Sequence, residues 1–221
     1  MTYFGPEMER YTKLAPGIRR LVAPNPSMMT GPGTNTYLLG EDEIAVLDPG
    51  PAIDSHIENI IELAGRPIRW ILATHTHPDH SPGARPLAQI TGAELIGRPP
   101  PEGPQQDATF SPDYFLGDAE RLETSEFVIE GVHTPGHASN HVCYLHTHSD
   151  WLFTGDHVMG WSTSIISPPD GDMMAYMVSL ELLLERDDRV YWPTHGPAIT
   201  EPHEHVKAFI EHRKEREAQI M

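Results

Sequence analysis

The sequence predicts an α/β fold of four layers, in which two central mixed sheets pack face to face and helices cover their outer sides. Two observations predict this architecture. Short apolar runs of strand type alternate with segments in which apolar residues recur at helical spacing. In addition, each cluster of histidine and aspartate follows a predicted strand at a turn rich in glycine or proline, where a layered fold can present functional side chains.

The first predicted elements form a strand–helix–strand unit. Residues 44–47 and 68–73 are short and almost entirely apolar, which is typical of buried strands. Between them, apolar residues recur at helical spacing over residues 53–64, and Asp54 is a candidate N-cap. A helix packed against two neighbouring strands is therefore expected in this part of the chain.

The following elements continue the alternation of helices and strands. Residues 84–90 are expected to be helical and residues 93–96 to form a strand. Residues 98–114 are rich in proline and glycine and predict an exposed loop that acts as a lid. Hairpin-like strands are expected over residues 121–153, and an amphipathic helix over residues 173–184 whose methionines face the core.

The run His75-Thr76-His77-Pro78-Asp79-His80 carries three imidazoles and one carboxylate in six residues. Imidazole and carboxylate groups are ligands suited to zinc and other divalent transition metals. On an extended segment, His75 and His77 point to the same side and can share one ion. Asp79 and His80 can turn to a second ion nearby. Burying these side chains without partners would be costly, so the run predicts a metal site.

Three further candidate ligands lie at the ends of predicted strands. His137 belongs to a Thr-Pro-Gly-His turn, Asp156 ends the apolar run of residues 151–156, and His195 precedes a Gly-Pro turn. A histidine at a strand end is usually solvated or capping. Together with residues 75–80, however, these positions repeat one order of strand, turn and ligand.

At these motifs the chain resembles the metallo-beta-lactamase-fold hydrolases. Within that superfamily it is most similar to the lactamase-beta-like-2 type endoribonucleases and their bacterial relatives. The residues that carry the resemblance are 31–39, 47–50, 75–84, 134–137, 168–173 and 195–197. The resemblance implies the four-layer αβ/βα sandwich named above.

The resemblance also implies a dinuclear metal centre. The ligands of the first ion would be His75, His77 and His137, and those of the second would be Asp79, His80 and His195. Asp156 would bridge both ions. Zinc is the expected metal, and manganese or iron suits the same nitrogen and oxygen ligands. Asp79, Asp156 and His80 are the residues expected to take the most direct part in catalysis.

Four more residues are candidates for supporting roles. The resemblance implies that Asp48 fixes the metal-binding loop from behind, and Thr74 is expected to help it. The Asp-Pro-Gly sequence at Asp48 is also ordinary turn chemistry, and both roles are compatible. Ser164 and Tyr176 are candidates for substrate contact, because residues 162–172 follow Asp156 and can line a cleft. An ordinary strand-to-helix connection is the alternative interpretation of that segment.

The resemblance implies a hydrolase in which a hydroxide bridging two metals attacks the substrate. The leading hypothesis is an endoribonuclease-like phosphodiesterase acting on single-stranded RNA. The alternative is a thioesterase or lactonase, similar to glyoxalase II, acting on a small acyl substrate. A true beta-lactamase is disfavoured, since those enzymes typically carry cysteine or serine at the position of Asp156. A non-hydrolytic metal-binding protein is a further alternative, which the identity of the bound metal would test.

Composition limits the classes of partner. The net charge is −17, with 15 basic against 32 acidic residues, so tight nonspecific binding to nucleic acid is not expected. No apolar stretch approaches the ~20 residues of a membrane span, and residues 1–7 lack a signal-peptide pattern. A lone cysteine, Cys143, forms no internal disulfide and is expected in the core. These features favour the cytoplasm.

The chain of 221 residues is expected to form a single domain over residues 1–221. Its last segment, residues 202–221, contains a predicted helix that ends near residue 219. The resemblance implies that family members continue from here into a small winged-helix-like domain, for which this sequence has no residues. The charged end of the helix is expected to be a solvated face.

Overall fold

A computed structural model describes residues 11–218 of the chain. The expectation for residues 1–7, and the end of the last predicted helix at residues 219–221, lie outside the described residues. The elements are β1 (Tyr11–Ala15), β2 (Ile18–Val22), β3 (Asn35–Leu39), β4 (Ile44–Leu47), α1 (Asp54–Ala64), β5 (Ile68–Leu72), α2 (Ala84–Thr91), β6 (Glu94–Ile96), β7 (Arg121–Glu123), β8 (Val128–His133), β9 (Val142–His146), β10 (Trp151–Gly155), α3 (Met173–Leu184), β11 (Val190–Pro193) and α4 (Pro202–Ala218).

The strands form two mixed sheets. The first contains six strands in the order β1-β2-β3-β4-β5-β6, and the second contains five in the order β11-β10-β9-β8-β7. In the first sheet β4, β5 and β6 run parallel, because α1 and α2 supply the crossover connections. In the second sheet only β10 and β11 are parallel, with α3 between them. The remaining pairs are antiparallel.

Three apolar cores separate four layers, which confirms the predicted sandwich. On the first sheet, alternate residues such as Leu38 and Val46 face outward and pack against α1 and α2. Their neighbours Tyr37 and Leu47 face inward and meet the second sheet. The outer face of the second sheet packs against α3 and α4 through a third core, which includes the buried Cys143.

Some local predictions were wrong, for identifiable reasons. The N-cap of α1 is Ile53 rather than Asp54, and Asp54 lies in the first helical turn, where an acidic residue complements the helix dipole. The methionines at the start of α3 are not core residues, since Met173 is 42% and Met174 is 78% exposed. Helix α3 is apolar on nearly every side, so its sequence periodicity does not identify the buried face.

The polar loops of both sheets meet along one edge of the sandwich. Asp48 follows β4, His75 follows β5, His137 follows β8 through a short turn, Asp156 follows β10 and His195 follows β11. Most of these strands are buried and apolar, so their ends are held rigidly. No helix within residues 11–218 is long and apolar enough to cross a membrane.

Candidate metal centre and adjoining cleft

Three imidazole nitrogens converge at one side of the candidate site. His77 Nδ1 lies 2.9 Å from His75 Nε2 and 3.0 Å from His137 Nε2. The outer nitrogen of each flanking ring has its own partner. His75 Nδ1 donates to Thr74 Oγ1 at 3.1 Å, and His137 Nδ1 donates to the Ile165 carbonyl at 2.6 Å. Because those nitrogens carry the protons, the lone pairs of both Nε2 atoms point toward His77.

A second group lies beside the first and contains Asp79, His80 and His195. Asp79 Oδ2 lies 3.1 Å from His195 Nε2, and Asp79 Oδ1 lies 3.7 Å from His80 Nε2. The outer nitrogens are again engaged, since His80 Nδ1 donates to Asp48 Oδ2 at 3.0 Å and His195 Nδ1 lies 3.4 Å from the Gly33 carbonyl. Such outer hydrogen bonds fix the orientation of metal-binding histidines.

Asp156 lies between the two groups. Its Oδ2 is 3.7 Å from His137 Nε2 and 3.5 Å from His80 Nε2, and its Oδ1 is 3.5 Å from His195 Nε2. The backbone N–H of Asp156 donates to His141 Nε2 at 3.2 Å. We refer to the seven residues His75, His77, Asp79, His80, His137, Asp156 and His195 as the histidine–aspartate cluster. The structure brings them together, and their role as ligands stays a prediction.

Asp48 supports the cluster from below. Its carboxylate accepts hydrogen bonds from the Thr74 N–H and the Thr74 hydroxyl, both at 2.8 Å, from the Thr194 hydroxyl at 2.7 Å and from His80 Nδ1. Asp48 has a φ of 47°, a conformation that few residues other than glycine adopt. The carboxylate is fully buried. It therefore joins the ends of β4, β5 and β11 to the cluster.

The two groups differ in their electrostatics. Burial lowers the pKa of His77 to about 4, so its imidazole is neutral at physiological pH. Burial also opposes protonation of His80 and His195, but the carboxylates of Asp156 and Asp79 outweigh it and raise both pKa values. Neutral imidazoles offer lone pairs to a cation. The carboxylates beside the second group carry negative charge, which a bound divalent ion would balance.

The donor set fits divalent metal ions. Among the described residues, the buried atoms His80 Nε2 and Asp156 Oδ1 have no hydrogen-bond partner within the protein, and both face the cluster. Three groups of potential ligands have their donor atoms within 4.8 Å of one another. They are His75, His77 and His137; His75, His80 and Asp156; and Asp79, His80 and His195. Nitrogen and oxygen donors without a thiolate suit zinc, manganese or iron.

A cleft of about 790 Å³ opens onto the cluster at His77, Asp79, His137 and Asp156. Its walls come from three loops, residues 25–30, 102–106 and 159–170. The loop predicted as a lid contributes the second of these, and Gln106 bonds both Thr76 and Asp170 across the cleft. Whether this loop moves stays a prediction.

The apolar rim of the cleft was not found from the sequence. It consists of Met28, Met29 and Ile165, which are 94%, 57% and 47% exposed. Hydrogen bonds from the backbone N–H groups of Met29 and Thr30 to the Ser27 hydroxyl hold the turn that carries both methionines. The sequence signal was a Met-Met pair in a Pro- and Gly-rich stretch, which by itself does not predict where the side chains point.

Ser164 and Tyr176, expected to contact substrate, lie behind the cleft wall. Both are buried, and both hydroxyls donate to the His157 carbonyl at 2.9 Å. Their hydrogen-bonding capacity is used within the fold, and neither side chain lines the cleft. In this structure both hydroxyls serve the fold, and substrate contact by either residue stays a prediction. The residues beside them, Thr163 and Ile165, form the wall instead.

The family model described as Metallo-beta-lactamase superfamily matches residues 29–195. Among curated proteins, the chain is 34% identical to "Beta-lactamase-like protein 2 homolog" of Drosophila melanogaster, over 95% of this chain and 74% of that protein. It is 32% identical to "Lactamase-like protein adaB" of Aspergillus niger, over 98% of this chain and 65% of that protein. It is 30% identical to "Atrochrysone carboxyl ACP thioesterase" of Aspergillus fumigatus, over 98% and 67%. The chain thus spans about two thirds to three quarters of the length of these relatives.

Solved structures share the fold. A beta-lactamase domain protein from Burkholderia ambifaria has a TM-score of 0.79 at 21% identity, over 93% of this chain and 76% of that one. A metallo-beta-lactamase family protein from Thermus thermophilus has a TM-score of 0.77 at 21% identity, over 92% and 81%. At this identity the likeness concerns the architecture alone.

Proposed function

Because the chain belongs to the metallo-beta-lactamase superfamily and is a hydrolase, we propose that it is a dinuclear metal-dependent enzyme that cleaves the thioester of a small, uncharged, apolar acyl substrate. One observation carries this proposal. The cleft that opens onto the histidine–aspartate cluster is apolar at its rim, and no lysine or arginine lines it within residues 11–218.

In this proposal the cluster would hold two divalent ions. His75, His77 and His137 would hold the first ion, and Asp79, His80 and His195 would hold the second. Asp156 would contribute to both. The chemistry that such ions supply when bound is a more acidic water and Lewis acidity toward a carbonyl oxygen. Zinc is the proposed metal, with manganese or iron as alternatives.

The residues of the chain supply orientation and charge. Hydrogen bonds from His80 to Asp48 and from His137 to the Ile165 carbonyl hold each ring with Nε2 facing the histidine–aspartate cluster. The carboxylates of Asp79 and Asp156 would attract the positive charge of the bound ions to the cluster. A carbonyl oxygen that gains negative charge during hydrolysis would be stabilised there, in a largely buried setting.

A thioester suits the groups that line the cleft. The leaving thiolate of a thioester needs no proton, since a free thiol has a pKa of about 8.5. The lining groups outside the cluster that carry ionisable protons are the carboxyls of Glu102 and Asp170, which face solvent or hydrogen-bond partners. An alkoxide leaving group would require a donor that these residues do not supply. The name of the Aspergillus fumigatus relative, a thioesterase, agrees with this choice.

The apolar rim supports an acyl chain as the bound group. Methionine is flexible and polarisable, so Met28 and Met29 can adapt to acyl groups of different shape. The rim lies at the mouth of the cleft and Ile165 lies beside His137, so an acyl chain on the rim would direct its carbonyl toward the cluster. A polar or charged substrate would leave these side chains without complementary contacts.

Single-stranded RNA, the leading hypothesis from sequence, is less compatible with this cleft. Four carboxylates line it, those of Asp79, Glu102, Asp156 and Asp170, and the net charge of the chain is −17. Proteins usually bind nucleic-acid phosphates through lysine and arginine. RNA cleavage is therefore the outcome that would displace the proposal in the test below. A lactone shares the acyl carbonyl with a thioester and serves as a third substrate.

The test compares a neutral acyl thioester of N-acetylcysteamine, an acyl lactone and a labelled RNA, each incubated with zinc- or manganese-loaded protein. Asp79→Ala removes a proposed ligand, and Glu58→Ala removes an exposed carboxylate of α1 as a matched control. We expect thioester hydrolysis to fall at least about 100-fold in Asp79→Ala, since even partners of ligands cost 10- to 100-fold. Metal content should fall from two ions to one, and Glu58→Ala should match the wild type.

Two results would overturn the proposal. Metal-dependent cleavage of RNA without thioester hydrolysis would assign the enzyme to the phosphodiesterases. Wild-type turnover and two bound metals in Asp79→Ala would show that the ligand assignment is wrong.

A further inference from the structure

An arginine of the last helix reaches the segment that orients one proposed metal ligand. Arg213 Nη2 donates to the Ser164 carbonyl. Its guanidinium carbon lies 5.6 Å from the centroid of the Tyr176 ring, a cation–π contact. Arg213 is partly buried, whereas its neighbours Lys214 and Glu215 are exposed. The charged end of α4 is therefore not a uniformly solvated face.

The carbonyl that Arg213 binds is adjacent to the carbonyl that orients His137. Ser164 and Ile165 are consecutive, and the Ile165 carbonyl accepts the Nδ1 proton of His137 at 2.6 Å. A shift of the Ser164 peptide therefore moves the acceptor of His137 as well. Ile165 also forms part of the apolar rim, so the same shift would change the cleft wall.

The same segment is tied to the core at a second point. The hydroxyls of Ser164 and Tyr176 both donate to the His157 carbonyl at 2.9 Å. Tyr176 lies under the guanidinium and packs against Gly136, next to His137. A Cβ atom at Gly136 would lie 2.3 Å from Tyr176 Cα, so no larger residue fits there. Arg213, Tyr176 and the turn at His137 thus form one continuous set of contacts.

From these contacts we infer that Arg213 is a positioning residue. It clamps residues 157–172, which we call the cleft loop, so that the Ile165 carbonyl holds His137 with Nε2 facing His77. The inference rests on the proposed role of His137 as a ligand. It assigns to α4, the last helix, a function at the site that packing against α3 alone does not require.

The partners of Arg213 favour positioning over charge balance. Within residues 11–218, no ion pair engages Arg213, although 32 acidic residues are present in the chain. Its Nη2 donates to a backbone carbonyl, its guanidinium carbon lies over an aromatic ring, and its Nε is buried without a hydrogen-bond partner. A guanidinium is rigid and planar, so it can make the hydrogen bond and the ring contact at once. A lysine can make the hydrogen bond but lacks the planar group.

The test uses Arg213→Ala, Arg213→Lys and the control Lys214→Ala, an exposed residue one position along the same helix. Metal-free protein is titrated with zinc against a chromophoric chelator, and urea unfolding is measured in parallel. We expect Arg213→Ala to lower the affinity for one of the two zinc ions about ten-fold. This is the lower end of the losses in metal affinity seen when a hydrogen-bond partner of a metal ligand is replaced. The other equivalent should change less than about two-fold, Arg213→Lys should recover part of the loss, and Lys214→Ala should match the wild type.

A second readout requires no metal. In the metal-free protein, nitrogen NMR should show the His137 Nδ1 proton as a hydrogen-bonded signal in the wild type and Lys214→Ala. This signal should broaden or shift in Arg213→Ala.

Three results would overturn the inference. Unchanged zinc affinity and an unchanged His137 signal in Arg213→Ala would show that the arginine does not position the histidine. Equal weakening of both zinc equivalents, with reduced unfolding stability, would assign Arg213 a general structural role. Wild-type protein that binds no zinc would remove the proposed function itself, and the inference with it.

Discussion

The histidine–aspartate cluster and the apolar rim lie in the same cleft but are built in opposite ways. The cluster is largely buried, and four of its five histidines are held by hydrogen bonds to Asp48, Thr74, Ile165 and Gly33. The rim is exposed, and its side chains make no polar contacts of their own. Under the proposed function, the cluster would fix the geometry of the reaction and the rim would accommodate a variable apolar acyl group.

The largest expected effect comes from removing the support under the cluster. Asp48→Ala leaves the buried N–H and hydroxyl of Thr74, the Thr194 hydroxyl and His80 Nδ1 without their acceptor. We expect a loss of about 3 kcal/mol or more in the free energy of unfolding, measured by urea denaturation, together with reduced zinc content. Asp48→Asn should retain more of the stability but not the zinc affinity.

The control for this experiment is Asp42→Ala, an exposed carboxylate just before β4, which should change stability by less than about 0.5 kcal/mol. If Asp48→Ala is as stable as the control and binds zinc normally, the cluster does not depend on a fixed support. The contrast with the rim would then be lost.

A moderate effect is expected at the rim. Replacing Met28 and Met29 together by glutamine removes apolar contact worth about 1–2 kcal/mol with the acyl chain. We expect KM for an apolar acyl thioester to rise about ten-fold while kcat changes little, because the cluster is untouched. Met174→Gln, on the exposed face of α3, is the matched control. A fall in kcat at unchanged KM would mean that the rim acts on the reaction rather than on binding.

A further prediction concerns pH and the layer beneath Asp48. His56 Nε2 bonds the Thr36 hydroxyl at 3.0 Å, and that hydroxyl donates to the Asp48 carbonyl at 2.7 Å. Burial lowers the pKa of His56 from 6.5 to about 4. Above pH 6.5, His56 is neutral in both the folded protein and the unfolded chain. Between pH 6.5 and 4 only the unfolded chain takes up the proton, so the contribution of His56 to stability is lost as the pH falls.

The measurement is the pH dependence of the free energy of unfolding in wild type and His56→Gln, which can donate to Thr36 but does not titrate. The wild type should lose more stability than the variant between pH 6.5 and 4. If the unfolding free energies of the two proteins depend equally on pH, His56 takes up its proton in the native protein as well as in the unfolded chain. The structure beneath Asp48 would then accommodate a charged imidazole.

The sequence predicted the cluster far better than the rim, and the reason is physical. Metal-type ligands are chemically distinctive, four of them occur in six residues, and the others end predicted strands. The strand ends also predicted the layered fold, because β4, β5, β10 and β11 are short apolar runs. The supporting role of Asp48 came from the resemblance, since its Asp-Pro-Gly sequence alone is ordinary turn chemistry. Features that depend on local composition could therefore be predicted from the sequence.

The rest depends on contacts between distant residues. Met28 and Ile165 line the same cleft, although 137 positions separate them and neither has distinctive chemistry. Arg213 lies in a charged run that predicts a solvated face, and its contacts with Ser164 and Tyr176 appear only in the structure. Ser164 and Tyr176 illustrate the same dependence, since their position after Asp156 suggested substrate contact, whereas the structure shows their hydroxyls bonded within the fold.

Selection of an uncharged apolar acyl thioester by this cleft can be tested by comparing kcat/KM for one acyl group carried by N-acetylcysteamine and by coenzyme A. Coenzyme A adds several negative charges to the same thioester. We expect the neutral thioester to be the better substrate, because four carboxylates and no lysine or arginine line the cleft in the described residues. A clear preference for the coenzyme A thioester would overturn the proposed substrate class.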